Sequence, residues 1–275
     1  MASLDDSRYT KQSMMTATHT RLDFLKTVVE LANDRLMHYF NTRSFSVSQK
    51  ANTSPVTQAD IEIETMIRDA AMHQFSNLTI VGEECGEEAP QEPQKTGVRL
   101  IIDPIDATAN FIRGVPFFGT LLAFEENGVI TDGLISAPAI GATWWASRGS
   151  GAFYNGQSMQ VSGIDSVADA CVFHGALYGY EAQGLPAGFQ TFLARTKRQR
   201  GFGDFYAPML VAMGSGECSV DANLQCWDMA PIQVILEEAG GQFSDFSGIP
   251  SIYSNHMVCS NGRVHEACLA SLNHD

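Results

Sequence analysis

The stretch Leu100-Ile101-Ile102-Asp103-Pro104-Ile105-Asp106 constrains this chain more than any other. Val98 to Ile102 is a short, apolar, β-rich run that reads as a buried strand delivering Asp103 to a surface. Pro104 lacks the N–H that a ladder needs, so the strand is expected to end at Asp103-Pro104, with the turn returning Asp106 beside Asp103. A second run of this kind, Leu78 to Val81, ends at Gly82 and is followed by Glu83-Glu84. Both strands therefore stop at carboxylates, and strand ends are where ligand sites gather in mixed α/β folds.

Helical periodicity surrounds these runs. Leu22, Leu25, Val29, Ala32, Leu36 and Phe40 recur at spacings of three and four, which predicts a helix from Arg21 to Phe40. A second helix is expected to start near Thr57, turning Ile61, Ile63, Met66, Ile67 and Ala70 inward. On it Asp60 and Glu64 share a face that by itself reads as solvent-exposed. Phe117 to Phe124, Val129 to Ser136 and Thr143 to Ser147 read as an antiparallel meander, with Asn127-Gly128 as a hairpin signal. The second half alternates a strand over Cys171 to Ala176, helices within Phe189 to Lys197 and over Tyr206 to Met213, and a strand over Cys218 to Ala222. A helix from Met229 to Ala239, closed by Gly240-Gly241, and a strand from Gln242 to Asp245 complete the pattern. The fold class is α/β, with both element types mixed throughout.

A chain of 275 residues suits one large domain or two closely packed lobes. We place the domain at residues 21–272, with an N-terminal lobe of about 21–155 and a C-terminal lobe of about 156–272. The boundary falls in the glycine-punctuated stretch around 150–165. Residues 1–20 are polar and rich in Ser, Thr and Met, which predicts a disordered tail, and Cys85 to Gly97 reads as a surface flap.

Lys and Arg number 17 against 31 Asp and Glu, a net charge of −14, which disfavours nucleic acid and anionic membranes as partners. No apolar run approaches a membrane span, and six irregularly spaced cysteines read as reduced thiols, so a cytoplasmic protein is expected. Nucleoside-triphosphatase, zinc-protease and nucleophile-elbow hydrolase motifs are all missing.

The chemistry lies in the acids Asp60, Glu83, Glu84, Asp103, Asp106 and Asp228, all at element ends. Taken singly, Asp106 and Asp228 read equally well as helix N-caps and Glu83-Glu84 as a solvated loop. Asp103 and Asp106, however, would repel each other unless they share a hard divalent cation, and carboxylates with the Ile105 carbonyl suit Mg²⁺ or Mn²⁺ rather than zinc. Asp106 could cap a short helix opening at Ala107-Thr108, a seat for phosphate. An acid-lined cleft repels a phosphate ester unless bound cations invert its field, so metal and phosphate imply each other.

Val81-Gly82-Glu83-Glu84, Ile102-Asp103-Pro104-Ile105-Asp106-Ala107-Thr108-Ala109-Asn110-Phe111 and Cys226-Trp227-Asp228-Met229-Ala230 resemble the signatures of the inositol-monophosphatase superfamily. Glu238-Ala239-Gly240-Gly241 and Pro55-Val56-Thr57-Gln58-Ala59-Asp60 extend the likeness, which covers roughly Leu22 to Leu272. The resemblance implies a Mg²⁺-dependent phosphomonoesterase built as a layered α/β/α/β/α sandwich, with two or three ions and Mn²⁺ as a substitute. Glu83, Asp103, the Ile105 carbonyl and Asp106 match the ligands of a first metal, Asp106 and Asp228 reach a second, and Asp60 with Glu83 holds a further metal or its water. Thr108 with Asp60 would position and help deprotonate the attacking water, and the amides of Ala107 and Thr108 would hold the phosphate. One departure stands out: the superfamily has Gly where this chain has Ala107. If that position needs positive φ, Ala costs about 1 kcal/mol.

Phe111-Ile112-Arg113-Gly114-Val115-Pro116, Trp144-Trp145 and Gly203-Asp204-Phe205-Tyr206 resemble the histidinol-phosphate phosphatase branch more than inositol monophosphatases proper. The implied substrate is the small molecule L-histidinol phosphate. myo-Inositol 1-phosphate or a related sugar phosphate is the alternative, and a non-catalytic metal- and phosphate-binding protein is the rival from another class. Asp204 and Asp221 are candidate contacts for a cationic substrate group, although Asp204 reads equally as a helix cap and Asp221 as a strand end. The resemblance also implies a homodimer.

Overall fold

The structure, a computed structural model, describes residues 6–49, 55–88, 97–179 and 182–273, with side chains described from residue 21 onward. Its helices are α1 (Asp6–Thr42), α2 (Gln58–Gln74), α3 (Thr108–Arg113), α4 (Phe189–Ala194), α5 (Tyr206–Ala212), α6 (Cys226–Glu238) and α7 (His265–Leu272). A short antiparallel pair is formed by β1 (Val47–Gln49) and β2 (Pro55–Thr57). An eight-stranded sheet contains β3 (Thr79–Gly82), β4 (Gly86–Glu88), β5 (Val98–Asp106), β6 (Gly119–Glu126), β7 (Val129–Ala137), β8 (Ala142–Ser147), β9 (Ala152–Tyr154) and β10 (Gln157–Met159). Its order is β10-β9-β8-β7-β6-β5-β3-β4, antiparallel except where β3 and β5 run parallel. A five-stranded sheet, ordered β12-β11-β13-β15-β14, contains β11 (Cys171–His174), β12 (Arg198–Arg200), β13 (Cys218–Ala222), β14 (Gln242–Ser244) and β15 (His256–Ser260).

Period-two alternation on the central strands explains the layering. On β5 and β6, Leu100, Ile102, Leu122 and Phe124 face a core shared with α1 and α2. Their neighbours Ile101, Leu121 and Ala123 face the opposite core, built with α5 and α6. The far side of α5 and α6 meets the five-stranded sheet, whose outer face is covered by α4 and α7. The result is the α/β/α/β/α sandwich. α6 lies so close to β7 that a Cβ on Gly133 would stand 2.5 Å from Val234 Cγ1 and 3.0 Å from the Pro231 backbone. That glycine lets the middle of α6 pack directly on the backbone of β7.

Several expected boundaries shift for identifiable reasons. β5 does not stop at Asp103-Pro104 but continues to Asp106 through a bulge, where the register with β6 jumps from Asp103–Leu121 to Asp106–Gly119. The bulge accommodates Pro104 because no ladder N–H is required there. α6 begins at Cys226, three residues before the expected Met229, because the Asp228 carboxylate accepts the Gln225 N–H at 2.7 Å and extends the first turn. α1 runs back to Asp6, where a disordered tail was the expectation; the stretch from Asp6 to Thr20 contains neither Gly nor Pro, so nothing in it breaks a helix already established downstream. Residues 1–5 lie outside the described residues. Of the expected flap, Gly86 to Glu88 is strand β4, paired with β3, while residues 89–96 lie outside the described residues. Among the described residues, no helix is long and apolar enough to cross a membrane.

Candidate active site

Because Ile101 faces the layer containing α6, Asp103, two residues on, projects toward the same layer, where the first turn of α6 presents Asp228. Asp103, Asp106 and Asp228 each place a carboxylate oxygen so that all three atoms lie within 4.8 Å of one another. Asp103 is buried, and Asp106 and Asp228 are half-buried at the floor of a cleft of about 410 Å³. Local bonds fix the group. Asp103 Oδ1 accepts the Ile105 N–H at 3.1 Å across the bulge, and Asp106 Oδ2 accepts the Phe205 N–H at 2.8 Å, linking β5 to the start of α5.

Glu83 follows the end of β3, next to β5, and its N–H donates to the Ile102 carbonyl at 3.2 Å. Its carboxylate raises the proton affinity of Asp60, Asp103, Asp106 and Asp228. Burial, then the charges of Glu83, Asp106 and Asp228, hold the Asp103 carboxyl well above the usual range. Burial, then Asp204 and Asp228, does the same for Asp106 against the Phe205 amide. Asp228 is pushed up to about 7 by burial and Glu83, opposed by the Gln225 amide. Asp60 is fully buried at the first turn of α2, where Oδ2 accepts the Thr57 N–H at 2.8 Å and the Thr57 hydroxyl at 2.5 Å in a capping box. Burial raises its carboxyl to about 6 despite those bonds.

The expected cap of α3 by Asp106 is not formed. Its N-cap is Ala107, which makes no side-chain cap bond and sits in the left-handed region at φ 63° and ψ 45°. Thr108, the first helical residue, has one hydroxyl proton and two acceptors, the Ile105 carbonyl at 2.9 Å and Asp60 Oδ1 at 3.4 Å. Asp204 likewise does not cap α5, whose N-cap position is Phe205. Instead Asp204, at φ 52°, lines the cleft wall together with Asp221 on β13. The structure thus brings Asp60, Glu83, Asp103, Asp106, Ala107, Thr108, Asp204, Asp221 and Asp228 into one neighbourhood, with Ile105 at its base.

His174 also lines the cleft, with Gly175, Gly203 and Asn223. His174 has no metal-binding spacing in the sequence, yet it ends the apolar strand Cys171–His174, a strand-end position like that of Asp103 after the apolar run 98–102. None of the described lining residues is Lys or Arg.

The donor set fits a hard divalent cation. All donors are oxygens, they converge from the end of β5 and the first turn of α6, and the repulsion that raises their proton affinity is what a cation would reverse. Such a cluster can hold a metal ion and, through it, an anionic group.

The sequence agrees with this geometry: residues 18–275 match the model of the Inositol monophosphatase family, and the chain belongs to that family. It is 36% identical to a histidinol-phosphatase of Streptomyces coelicolor over 256 residues, 90% of this chain and 94% of the relative. A histidinol-phosphatase of Chlorobaculum parvum is 37% identical over 249 residues, covering 89% and 93% respectively. The solved structure of a Thermotoga maritima IMPase superposes with a TM-score of 0.81 at 31% identity, covering 92% of this chain and 96% of that one. The chain is a phosphomonoester hydrolase of this family.

Proposed function

We propose that the substrate is L-histidinol phosphate, hydrolysed to L-histidinol and phosphate with Mg²⁺. The observation that carries this reading is the cleft wall: Asp204, Asp221 and His174 line it beside the carboxylates, and no described lining residue is Lys or Arg. A small ester with a cationic amine matches such a wall in charge, whereas a neutral polyol offers the two acids only uncharged hydroxyl donors. The names of the Streptomyces and Chlorobaculum relatives support the same substrate.

Glu83, Asp103, Asp106, Asp228 and the Ile105 carbonyl would hold two or three Mg²⁺ ions, with Mn²⁺ as a substitute. When bound, the ions lower the pKa of the attacking water and offset charge on the phosphoryl and leaving oxygens. Thr108 would orient that water: with its proton directed to Asp60, its lone pairs accept from the water, and Asp60, whose burial raises its proton affinity, would receive the proton. The amides of Ala107 and Thr108 hold the phosphate oxygens at the start of α3, and Asp204 and Asp221 hold the substrate amine. We further propose a single domain of two lobes acting as a homodimer in the cytoplasm, on the strength of the family likeness; light scattering tests the dimer.

The test is phosphate release from L-histidinol phosphate and myo-inositol 1-phosphate side by side, with an EDTA control. We expect EDTA-sensitive release and at least a tenfold preference for histidinol phosphate. Asp221→Asn should raise KM for that ester about tenfold or more, the worth of a charge-assisted bond, and leave p-nitrophenyl phosphate unaffected. Preference for the inositol ester would replace the substrate and keep the chemistry. Metal and phosphate binding without release from any ester would favour the non-catalytic binding protein.

A further inference from the structure

Helix α2 carries more than Asp60. One turn on, Glu64 is 0% exposed, and a turn beyond it Arg68 is 5% exposed; Arg68 Nε donates to Glu64 Oε1 at 2.8 Å. The solvent-exposed face expected for Asp60 and Glu64 is instead buried. A buried ion pair seldom adds net stability over apolar packing, so this one calls for another account.

Its remaining bonds supply it. Glu64 Oε2 accepts the Glu84 N–H at 2.7 Å, and Oε1 accepts the Cys85 N–H at 3.1 Å. Arg68 donates to the Gly86 carbonyl and reaches Glu88 Oε2 at 3.5 Å. Residues 84, 85 and 86 are therefore each tied to the pair through their backbone, directly after Glu83. Gly82, directly before it, leaves room for the pair: a Cβ there would lie 2.1 Å from Glu64 Oε1. Asp60, Glu64 and Arg68 are spaced by four along one stripe of α2, so a single rigid helix holds Asp60 at one end and the turn bearing Glu83 along its side.

We propose that Glu64 and Arg68 are positioning residues for Glu83, clamping the turn after β3 so that its carboxylate stays among Asp60, Asp103 and Asp228. This rests on the reading of Glu83 as a metal ligand. Without the Glu64 charge, the Glu84 and Cys85 amides and the buried Arg68 lose their strongest acceptor, the turn relaxes, and Glu83 leaves the cluster.

The test measures Mn²⁺ binding to substrate-free enzyme by electron paramagnetic resonance, alongside the Mg²⁺ concentration giving half-maximal turnover. Glu64→Gln should weaken Mn²⁺ binding and raise the half-saturating Mg²⁺ about tenfold, the usual effect of losing a partner that orients a ligand. KM for the ester should stay unchanged, with kcat largely restored at saturating Mg²⁺. Arg68→Lys should move both metal readouts the same way by less, and it carries the test if Glu64→Gln does not fold. Glu217→Gln is the control, because Glu217 is equally buried and bonded, to Ser162 Oγ at 2.8 Å and the Cys171 N–H at 2.6 Å, but lies outside the cleft. It should lower thermal stability and leave both metal readouts alone. Unchanged metal binding in Glu64→Gln and Arg68→Lys, or an equal shift in Glu217→Gln, overturns the proposal while wild-type Mn²⁺ binding, lost in Asp103→Asn, keeps the metal reading intact. Wild-type enzyme that binds no Mn²⁺ overturns both.

Discussion

Replacing Asp103 by Asn should make the metal-free protein more stable while depriving it of its cation. Asn keeps the shape and the oxygen that accepts the Ile105 N–H at 3.1 Å, so the bulge survives. What is lost is one negative charge beside Asp106 and Asp228, whose ligand oxygens lie within 4.8 Å. Two full charges at that separation repel by about 3.5 kcal/mol at an effective dielectric constant of about 20. Shared protons already relieve part of this near neutral pH, because burial and mutual repulsion raise all three carboxyls. A net gain of about 1–2 kcal/mol remains, equivalent to about 2–8 °C in Tm for a chain of this size. Calorimetry in EDTA reads the gain. Calorimetry with Mg²⁺ should show the opposite ranking, with the wild-type protein raised by the ion and the variant scarcely moved, and Mg²⁺-dependent phosphate release should disappear. A variant less stable than wild type in EDTA, yet still raised by Mg²⁺ and still active, would refute the reasoning.

Two further outcomes follow from the same site. Ala107→Gly removes a left-handed alanine worth about 1–2 kcal/mol of strain, but it forfeits a half-buried methyl against the α1–α2 core and adds about 0.4–1 kcal/mol of unfolded-chain entropy. Stability should therefore change by less than about 1 kcal/mol, and turnover, with the N–H retained, by less than about tenfold; calorimetry and phosphate release check both, and a larger loss in either refutes the account. Asp60 and Asp228, at about 6 and about 7, bind protons more tightly than they would in the unfolded chain, so without metal the stability they confer is full below the ordinary carboxylate range and is lost as pH rises toward 7. Mg²⁺ competes with those protons, so its Tm increment should be larger at pH 8 than at pH 5.5, with proton release on binding seen by titration calorimetry; an increment independent of pH refutes it.

Much of this was legible in the chain itself. The apolar runs ending at Glu83 and Asp103, the meander around Asn127-Gly128 and the periodicity of α1 and α2 placed the layers, because burial writes a period of two or 3.6 into the residues. The floor of the site was legible for the same reason, since adjacent acids after an apolar strand conflict unless something joins them. Short elements were not: β1, β9, β10, β12 and α3 span three to six residues each, too few for a period to register. Glu64 was read as solvated because spacing on a helix names a face without saying what covers it. The loop that tracks Glu64 and Arg68 makes that face interior. Asp204 resembled a helix cap because its role depends on β11 and β13 coming alongside, which no local pattern encodes.

The bond from Phe205 to Asp106 joins residues 99 apart, and Asp228 arrives from later still. During synthesis at about 5–20 residues per second, on the order of ten seconds separate the emergence of Asp106 from that of Asp228. Through that interval the ribosome-bound chain has Asp60, Glu83, Asp103 and Asp106 but lacks Asp228, while His174, Asp204 and Asp221 follow one after another. The carboxylate cluster is therefore completed only when the last-made third of the chain, which carries Phe205 and Asp228, packs against the end of β5.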